Sequence, residues 1–319
     1  MPASYTPAFW YRPPGPLLRL VGPLAPGRRK ARTRNDAALM QGIPSVAVTS
    51  LTLGGTGKTP AVIALAQRLA SRGTGVHVVS RGSSGPVRID ARGDDPAEVG
   101  DEPLLIAAFA PTWIAADPRE GIAAAAEAGA EAVVLDVGPG LPPHPARITI
   151  AVEDAARGFG NGFAWPLGPL GEKLEKGLNR VDLLLIAGPK VAQESFARAW
   201  RDRIPCATVP AELAPLPTGM EWEGLDVIAF AGIGAPERFF ATLRGLGANL
   251  IRAQALSDHQ EMTPTLLARL DAEARRTGAQ LVTTEKDAVR LPRDFRQNVV
   301  SLPVRLEPAD WSAIDALLP

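Results

Sequence analysis

A glycine-rich octet, Thr52-Leu53-Gly54-Gly55-Thr56-Gly57-Lys58-Thr59, separates an apolar run, Pro44–Thr49, from a stretch whose Val62, Leu65, Ala66 and Leu69 share one helical face. The run reads as a buried strand, the stretch as a helix from about Lys58 to Arg72, and the glycines as the turn between them. Pro60 falls in the helix's first turn, where a missing N–H removes no hydrogen bond, and Gly73 suits its end. A turn of this composition gathers backbone N–H groups at the positive end of a helix, which is what phosphate oxygens need. Leu53, Gly54, Gly55, Thr56, Gly57, Lys58 and Thr59 are therefore candidate nucleotide-binding residues. Lys58 is placed to reach the β- and γ-phosphates and the Thr59 hydroxyl to ligate Mg²⁺. The usual pattern has glycine where Thr52 stands, so the motif rests on its strand–loop–helix context. The dinucleotide pattern is rejected because Pro60 occupies its third glycine position.

A phosphate loop works with an acid at the end of a neighbouring strand. Glu131-Ala-Val-Val-Leu-Asp136 offers four apolar residues and then Asp136, a candidate metal acid. Further strands are expected at Val76–Ser80, Thr112–Ala115, Ile148–Val152 and Leu183–Ala187, with helices at Glu102–Phe109 and Pro118–Ala128. This alternation means an α/β fold: a phosphate-loop NTPase-like, mostly parallel sheet. The alternation resumes after a proline-rich interruption, Pro205–Glu223, with strands at Asp226–Ala231, Asn249–Ala253 and Gln280–Thr284 and a closing helix at Pro308–Leu318. A second, smaller α/β domain is expected. The division reads as an arm over 1–40, a phosphate-loop domain over 41–185 and the smaller domain over 186–319.

Charge is balanced over the whole chain, 34 basic against 34 acidic residues, which argues against a nucleic-acid partner. The balance is not local. Residues 1–40 hold Arg12, Arg19, Arg28, Arg29, Lys30, Arg32 and Arg34 against Asp36, interleaved with Phe9, Trp10, Tyr11, Leu17, Leu18, Leu20, Val21 and Leu24. Basic residues among aromatic and aliphatic ones suit an anionic membrane surface, and they suit equally an arm packed on its own domain. No apolar run approaches the ~18 residues of a membrane span. The single cysteine, Cys206, excludes an internal disulfide, and a cytosolic chain is expected.

Other clusters fall where loops are expected: Gly100-Asp101-Glu102-Pro103, Gly158-Phe-Gly-Asn161-Gly162, Gly168-Pro-Leu-Gly-Glu172, Ser257-Asp258-His259 and Thr284-Glu285-Lys286-Asp287. With the strings LGGTGKTP (53–60), PLGPL (166–170), FAGIGAPERFF (230–240) and TTEKDAVRL (283–291), the chain from about Pro44 to Leu291 resembles the tetraacyldisaccharide 4′-kinase (lipid A kinase) family. The resemblance implies transfer of the γ-phosphate of ATP, with Mg²⁺, to the 4′-hydroxyl of a lipid-linked glucosamine disaccharide 1-phosphate. It implies action at the cytoplasmic face of the bacterial inner membrane, with the basic arm docking on that surface. Asp101 matches the family's general base and His259 the histidine that supports it, while Arg119 looks like its active-site arginine. Asn161 and Glu172 are expected to help shape the site.

The chain departs from the family at three loops. Asp136 is followed by Val137, not a second carboxylate; Gly171 replaces an arginine; Ser83 replaces an aromatic. Either Val137 leaves the metal site one carboxylate short, or it is a core residue of a remodelled loop. An impaired, nucleotide-binding homologue and a kinase on a different acceptor are the alternatives these departures leave open.

Overall fold

The computed structural model describes residues 7–27, 43–140, 144–257 and 260–319. Thirteen strands are described: β1 Ser45–Thr49, β2 Val76–Arg81, β3 Val87–Arg88, β4 Thr112–Ala115, β5 Ala132–Asp136, β6 Ile148–Asp154, β7 Leu183–Ala187, β8 Ala207–Pro215, β9 Asp226–Ala231, β10 Asn249–Ala255, β11 Gln280–Thr284, β12 Val299–Leu302 and β13 Val304–Pro308. The first five helices are α1 Pro16–Val21, α2 Lys58–Ser71, α3 Pro96–Val99, α4 Asp101–Ala107 and α5 Pro118–Glu127.

The larger sheet runs β13-β8-β7-β6-β1-β5-β2-β4-β3 and the smaller β10-β9-β11-β12. Every pairing is parallel except at the edges of the larger sheet, where β13 meets β8 and β3 meets β4 antiparallel. In the centre, β1 lies between β5 and β6, with Val48 beside Asp136 and Thr49 beside Ala151. This is where an α/β sheet leaves a crevice beyond the carboxyl ends of its strands.

Hydrophobic alternation sorts the central strands into two layers. Val46, Val48, Ile150 and Val152 pack under α2 against Ala61, Leu65 and Leu69. Ala151 and Ala155 face the other way, into a cluster with Leu51, Phe159, Leu170, Leu174 and Ile186. Burying a leucine such as Leu65 or Leu69 contributes ~1.5–3 kcal/mol, so α2 is fixed rigidly beneath the loop that precedes it. Its far end closes as a Schellman turn, Thr74 N–H to Leu69 C=O at 3.2 Å and Gly73 N–H to Ala70 C=O at 3.0 Å.

Two expectations are corrected. The boundary expected between residues 185 and 186 falls inside β7, in the middle of the larger sheet. Strand β8, in the stretch expected to be an interruption, pairs parallel with β7, so the larger sheet takes chain as far as Pro215. The chain then forms the smaller sheet over β9–β12 and returns as β13. Pro308, where the closing helix was expected to begin, is the last residue of strand β13, and the helix itself is only Ser312–Asp315. Ile314 and Leu318 nevertheless pack into the α2 cluster, and Asp315 pairs with Arg68 on α2. The smaller unit is an insertion rather than a C-terminal half.

Candidate functional site

Gly57 caps α2 in the left-handed region (φ 93°), and Gly54 also has positive φ (118°), conformations that favour glycine. A Cβ built on Gly55 would meet nothing within 4 Å, so the loop is open on that side. The Thr56 hydroxyl oxygen is buried with no hydrogen-bond partner among the described residues. Lys58 Nζ stands 3.7 Å from Asp136 Oδ1, and Ser80 Oγ donates to Asp136 Oδ2 at 3.1 Å. Thr59 is buried in the first turn of α2. A helix N-terminus, a lysine, a hydroxyl, an acid and an unpaired buried hydroxyl are the donor set that a magnesium-bound triphosphate takes. The residues fit the group.

The loop is braced from behind. Leu53 N–H donates to Pro169 C=O at 2.8 Å, Gly171 N–H to Leu51 C=O at 3.0 Å and Gly140 N–H to Ser50 C=O at 2.8 Å. Glu153, at the end of β6 and fully buried, accepts from the Leu51 amide, from the Thr52 amide at 3.2 Å and from the Thr52 hydroxyl at 2.6 Å. Thr52 therefore does what the usual glycine cannot: its side chain ties the loop's entry to a neighbouring strand.

Helix α4 stands near the loop, with Glu102 within electrostatic reach of Lys58. Its first residue, Asp101, follows Gly100 (φ 91°) and is mostly buried, with Oδ2 at 3.9 Å from Arg290 Nε. Glu102 pairs with Lys286 Nζ at 3.0 Å. Burial pushes the Glu102 carboxyl up, but Lys286 and then Lys58 pull harder and hold it below the usual carboxylate range. Lys286 and Arg290 come from the TTEKDAVRL string, so the smaller unit grips the first turn of α4. The grip is itself anchored: Asp287, fully buried, pairs with Arg290 and accepts from Gly232 N–H at 3.0 Å and Thr284 Oγ at 2.7 Å.

A sequence profile described as tetraacyldisaccharide-1-P 4′-kinase matches residues 16–319. The chain is 50% identical to a tetraacyldisaccharide 4′-kinase of Dinoroseobacter shibae, covering 98% of this chain and 96% of that protein. It is 46% identical to one of a Jannaschia species, covering 97% of each. This chain belongs to the tetraacyldisaccharide-1-P 4′-kinase family. Among solved structures, the "apo" form of LpxK from Aquifex aeolicus in complex with ATP shares the fold, with a TM-score of 0.66 at 23% identity over 86% of this chain and 87% of that one.

Lys58, Thr59 and Asp136 are brought together with the glycine loop, and Asp101 opens α4, next to the Glu102 that Lys58 reaches electrostatically. Arg119 is exposed in the first turn of α5, its amide held by the Asp117 cap at 2.9 Å. It follows β4, which stands two strands from β5 and its Asp136 in the larger sheet. His259 and Asp258 lie outside the described residues. Their flanks are described: Gln260 C=O accepts from Arg290 Nη1 at 3.1 Å.

Asn161 is built into the scaffold. Its amide nitrogen donates to Leu167 C=O at 2.9 Å, its Oδ1 accepts from Phe163 N–H at 3.1 Å, and its backbone N–H donates to Trp10 C=O. Glu172 is buried against Arg180, a guanidinium the sequence reading did not single out. Val137 is 8% exposed among Ala47, Val79, Ile122, Leu135 and Ala146, so it is a core residue of the far layer and not a vacant ligand position. Glu153, Arg290 and Ser80 were also missed. An acid ending the apolar run of β6 is the same signal that pointed to Asp136, and it was available for Glu153.

The arm is partly described. Trp10 is buried and its indole N–H donates to Pro166 C=O at 3.1 Å. Tyr11 hydroxyl reaches Leu53 C=O at 3.5 Å, and the Arg157 guanidinium lies 5.5 Å from the Tyr11 ring centroid. Beyond them α1 and the turn that follows it leave Leu17 73%, Leu20 75% and Leu24 81% exposed. The basic run from Arg28 to Arg34 lies outside the described residues. No helix among the described residues is long and apolar enough to cross a membrane.

Proposed function

We propose that this chain transfers the γ-phosphate of ATP to the 4′-hydroxyl of a lipid-linked glucosamine disaccharide 1-phosphate. Membership of the family gives the reaction; the observation that carries it at the level of residues is the Lys58–Asp136 pair at the mouth of α2, with Glu102 of α4 within electrostatic reach of Lys58. Residues Leu53 to Thr59 hold the triphosphate, with backbone N–H groups and Lys58 turned to the phosphate oxygens. Thr59 and Asp136 hold Mg²⁺, which when bound neutralises charge on the phosphates. Asp101 accepts the proton of the attacking hydroxyl, supported by His259. Arg119, in the first turn of α5, adds positive charge to the site. Positioning and electrostatics supply most of the rate in such transfers.

The three outward leucines of the arm and its basic residues dock the enzyme on an anionic membrane, at the cytoplasmic face where its lipid acceptor lies. The arm also touches the phosphate loop through Tyr11, so the membrane contact and the nucleotide site belong to one packed assembly.

The test is phosphorylation of lipid-linked disaccharide 1-phosphate by the full chain with ATP and Mg²⁺, alongside Lys58→Ala. Turnover in the variant is expected to fall at least ~100-fold. Near-normal turnover in the variant removes the phosphate-loop assignment; nucleotide binding by the parent chain with no product on any disaccharide favours an impaired homologue instead.

A further inference from the structure

Glu153 is a carboxyl group with no part in the chemistry above, completely buried, and in contact with the nucleotide loop. Its alternation in β6 places it with Ala151 and Ala155, on the face that packs against Leu51, Leu170 and Ile186. Both oxygens are engaged with the entry of the loop. One meets the amides of Leu51 and Thr52, the other the Thr52 hydroxyl. An amide only donates, so Oε1 must accept. A hydroxyl donates or accepts, so the bond from Oε2 to Thr52 Oγ survives protonation with its direction reversed. The site is thus built to hold the loop in either protonation state.

The surroundings make both states accessible. Burial pushes the Glu153 carboxyl up, the bonds from Thr52 and Leu51 pull it down, and Asp154 pushes it up again, leaving it at about 7. The charged and titratable groups that face this region are Asp154 and Tyr11, with Arg238 paired to Asp154 at 2.8 Å and Arg157 over the Tyr11 ring. A triphosphate brings several negative charges to the loop that Glu153 holds. Like charge in a low-dielectric site favours the neutral acid.

We propose that Glu153 is a positioning residue that anchors the entry of the phosphate loop and takes up a proton from solvent when the loop receives a nucleoside triphosphate. The proton adds to Oε2, which then donates to Thr52 Oγ as the Thr52 O–H turns away from the carboxyl, and no other covalent bond forms or breaks. The inference rests on the reading that this loop takes ATP, and it adds that the affinity is linked to pH through a residue that never touches the phosphates.

Calorimetric titration of the full chain with Mg²⁺–ATP, in buffers of different ionisation enthalpy, counts the protons taken up. With the free carboxyl near half-ionised at pH 7, uptake of about half a proton is expected beyond the nucleotide's own. ATP affinity of the parent chain is expected to fall above pH 7, toward about tenfold per pH unit. Glu153→Gln, which presents an acceptor to the amides and a donor to Thr52, is expected to lose the extra proton and the pH dependence and to bind more tightly than the parent at pH 8. Glu153→Ala, which orphans the three donors, is expected to bind about 10-fold more weakly at every pH. Thermal melts separate binding from folding. The folded-state value lies above the ordinary one of 4.5, so the native state holds the extra proton between pH 4.5 and 7. Parent stability then falls as pH rises through that window, and the Gln variant's melting temperature should gain on the parent's from pH 5 to pH 8.

Equal proton uptake in the parent and Gln proteins overturns the linkage. Unchanged affinity in a folded Ala variant overturns the anchor. If Lys58→Ala abolishes binding while the Glu153 variants behave as the parent, the nucleotide reading stands and this inference falls. No binding by the parent at any pH removes both.

Discussion

Gly140 and Gly171 meet backbone to backbone. A Cβ on Gly171 would lie 2.3 Å from the Gly140 carbonyl oxygen and 2.4 Å from its Cα, and a Cβ on Gly140 would lie 3.2 Å from Gly171 Cα. Both belong to loops where the sequence reading expected departures from the family pattern, and the contact joins those two loops. The Val137-Gly138-Pro139-Gly140 turn closes on the Gly168-Pro-Leu-Gly171 turn, and each bonds a residue at the entry of the phosphate loop, Gly140 to Ser50 and Gly171 to Leu51. The arginine missing beside Glu172 has no room, and a guanidinium reaches Glu172 from Arg180 instead.

Restoring the family residue here is therefore expected to harm. The obstacle to Gly171→Arg is main chain rather than a flexible side-chain tip, so the loop must move. Gly171→Ala alone should cost about 1–3 kcal/mol, read as a lowered denaturation midpoint. Because Gly171 N–H holds Leu51, ATP affinity should fall with it. A variant as stable as the parent would show that the two turns part easily.

Val137→Asp follows the same logic. Asp136 points to Lys58, and its neighbour in the chain points to the opposite layer, among Ala47, Val79 and Ile122. A carboxylate there is buried without a partner and should destabilise on the order of 3 kcal/mol. Neither turnover nor the Mg²⁺ needed for half-maximal rate should improve. A lower Mg²⁺ requirement in a variant of normal melting temperature would return Val137 to the metal site.

What could be read in advance was what the chain encodes locally. The glycine loop, α2 with its apolar face and the run ending in Asp136 each declare themselves within about fifteen residues. The insertion did not, because it is defined by pairing between distant segments. Strand β8 carries Pro210 and Pro215 and exposes most of its side chains, so it reads as a linker until β7 and β13 flank it. Val137 was ambiguous for a related reason: the sequence places it one residue past the acid, and only packing says which layer receives it. Glu153 shows the limit most clearly. Its two partners are about a hundred residues upstream, so the acid near the strand's end marks it as a candidate while what it holds is set by distant pairing.

Arg290 offers a test of how the smaller unit serves the larger. It pairs with buried Asp287, donates to Gln260 C=O and approaches Asp101 at 3.9 Å. Arg290→Gln should lower kcat about 10- to 100-fold through a displaced base, with KM for ATP little changed. Arg290→Lys should recover only part, since a point charge does not replace the planar fork. Steady-state kinetics with ATP varied decide it; an intact kcat with a raised KM for ATP would place Arg290 in nucleotide binding instead.

The arm needs substitution rather than deletion. Removing it would take away Trp10, which fills a buried site, and Tyr11, which reaches Leu53. Loss of activity would then report on the phosphate loop as much as on the membrane. Leu17, Leu20 and Leu24 are instead almost fully exposed and hold nothing in the fold. Changing all three to serine should leave the melting temperature where it is. Each leucine buried in a bilayer interface contributes ~1.5–3 kcal/mol, so the triple variant should partition onto anionic vesicles at least ~100-fold less. Raised salt should weaken the parent's binding as well, through screening of Arg12, Arg19 and the basic residues that follow. Sedimentation with vesicles of zwitterionic and anionic composition measures both effects. Equal binding by parent and variant would mean that these leucines face something other than lipid.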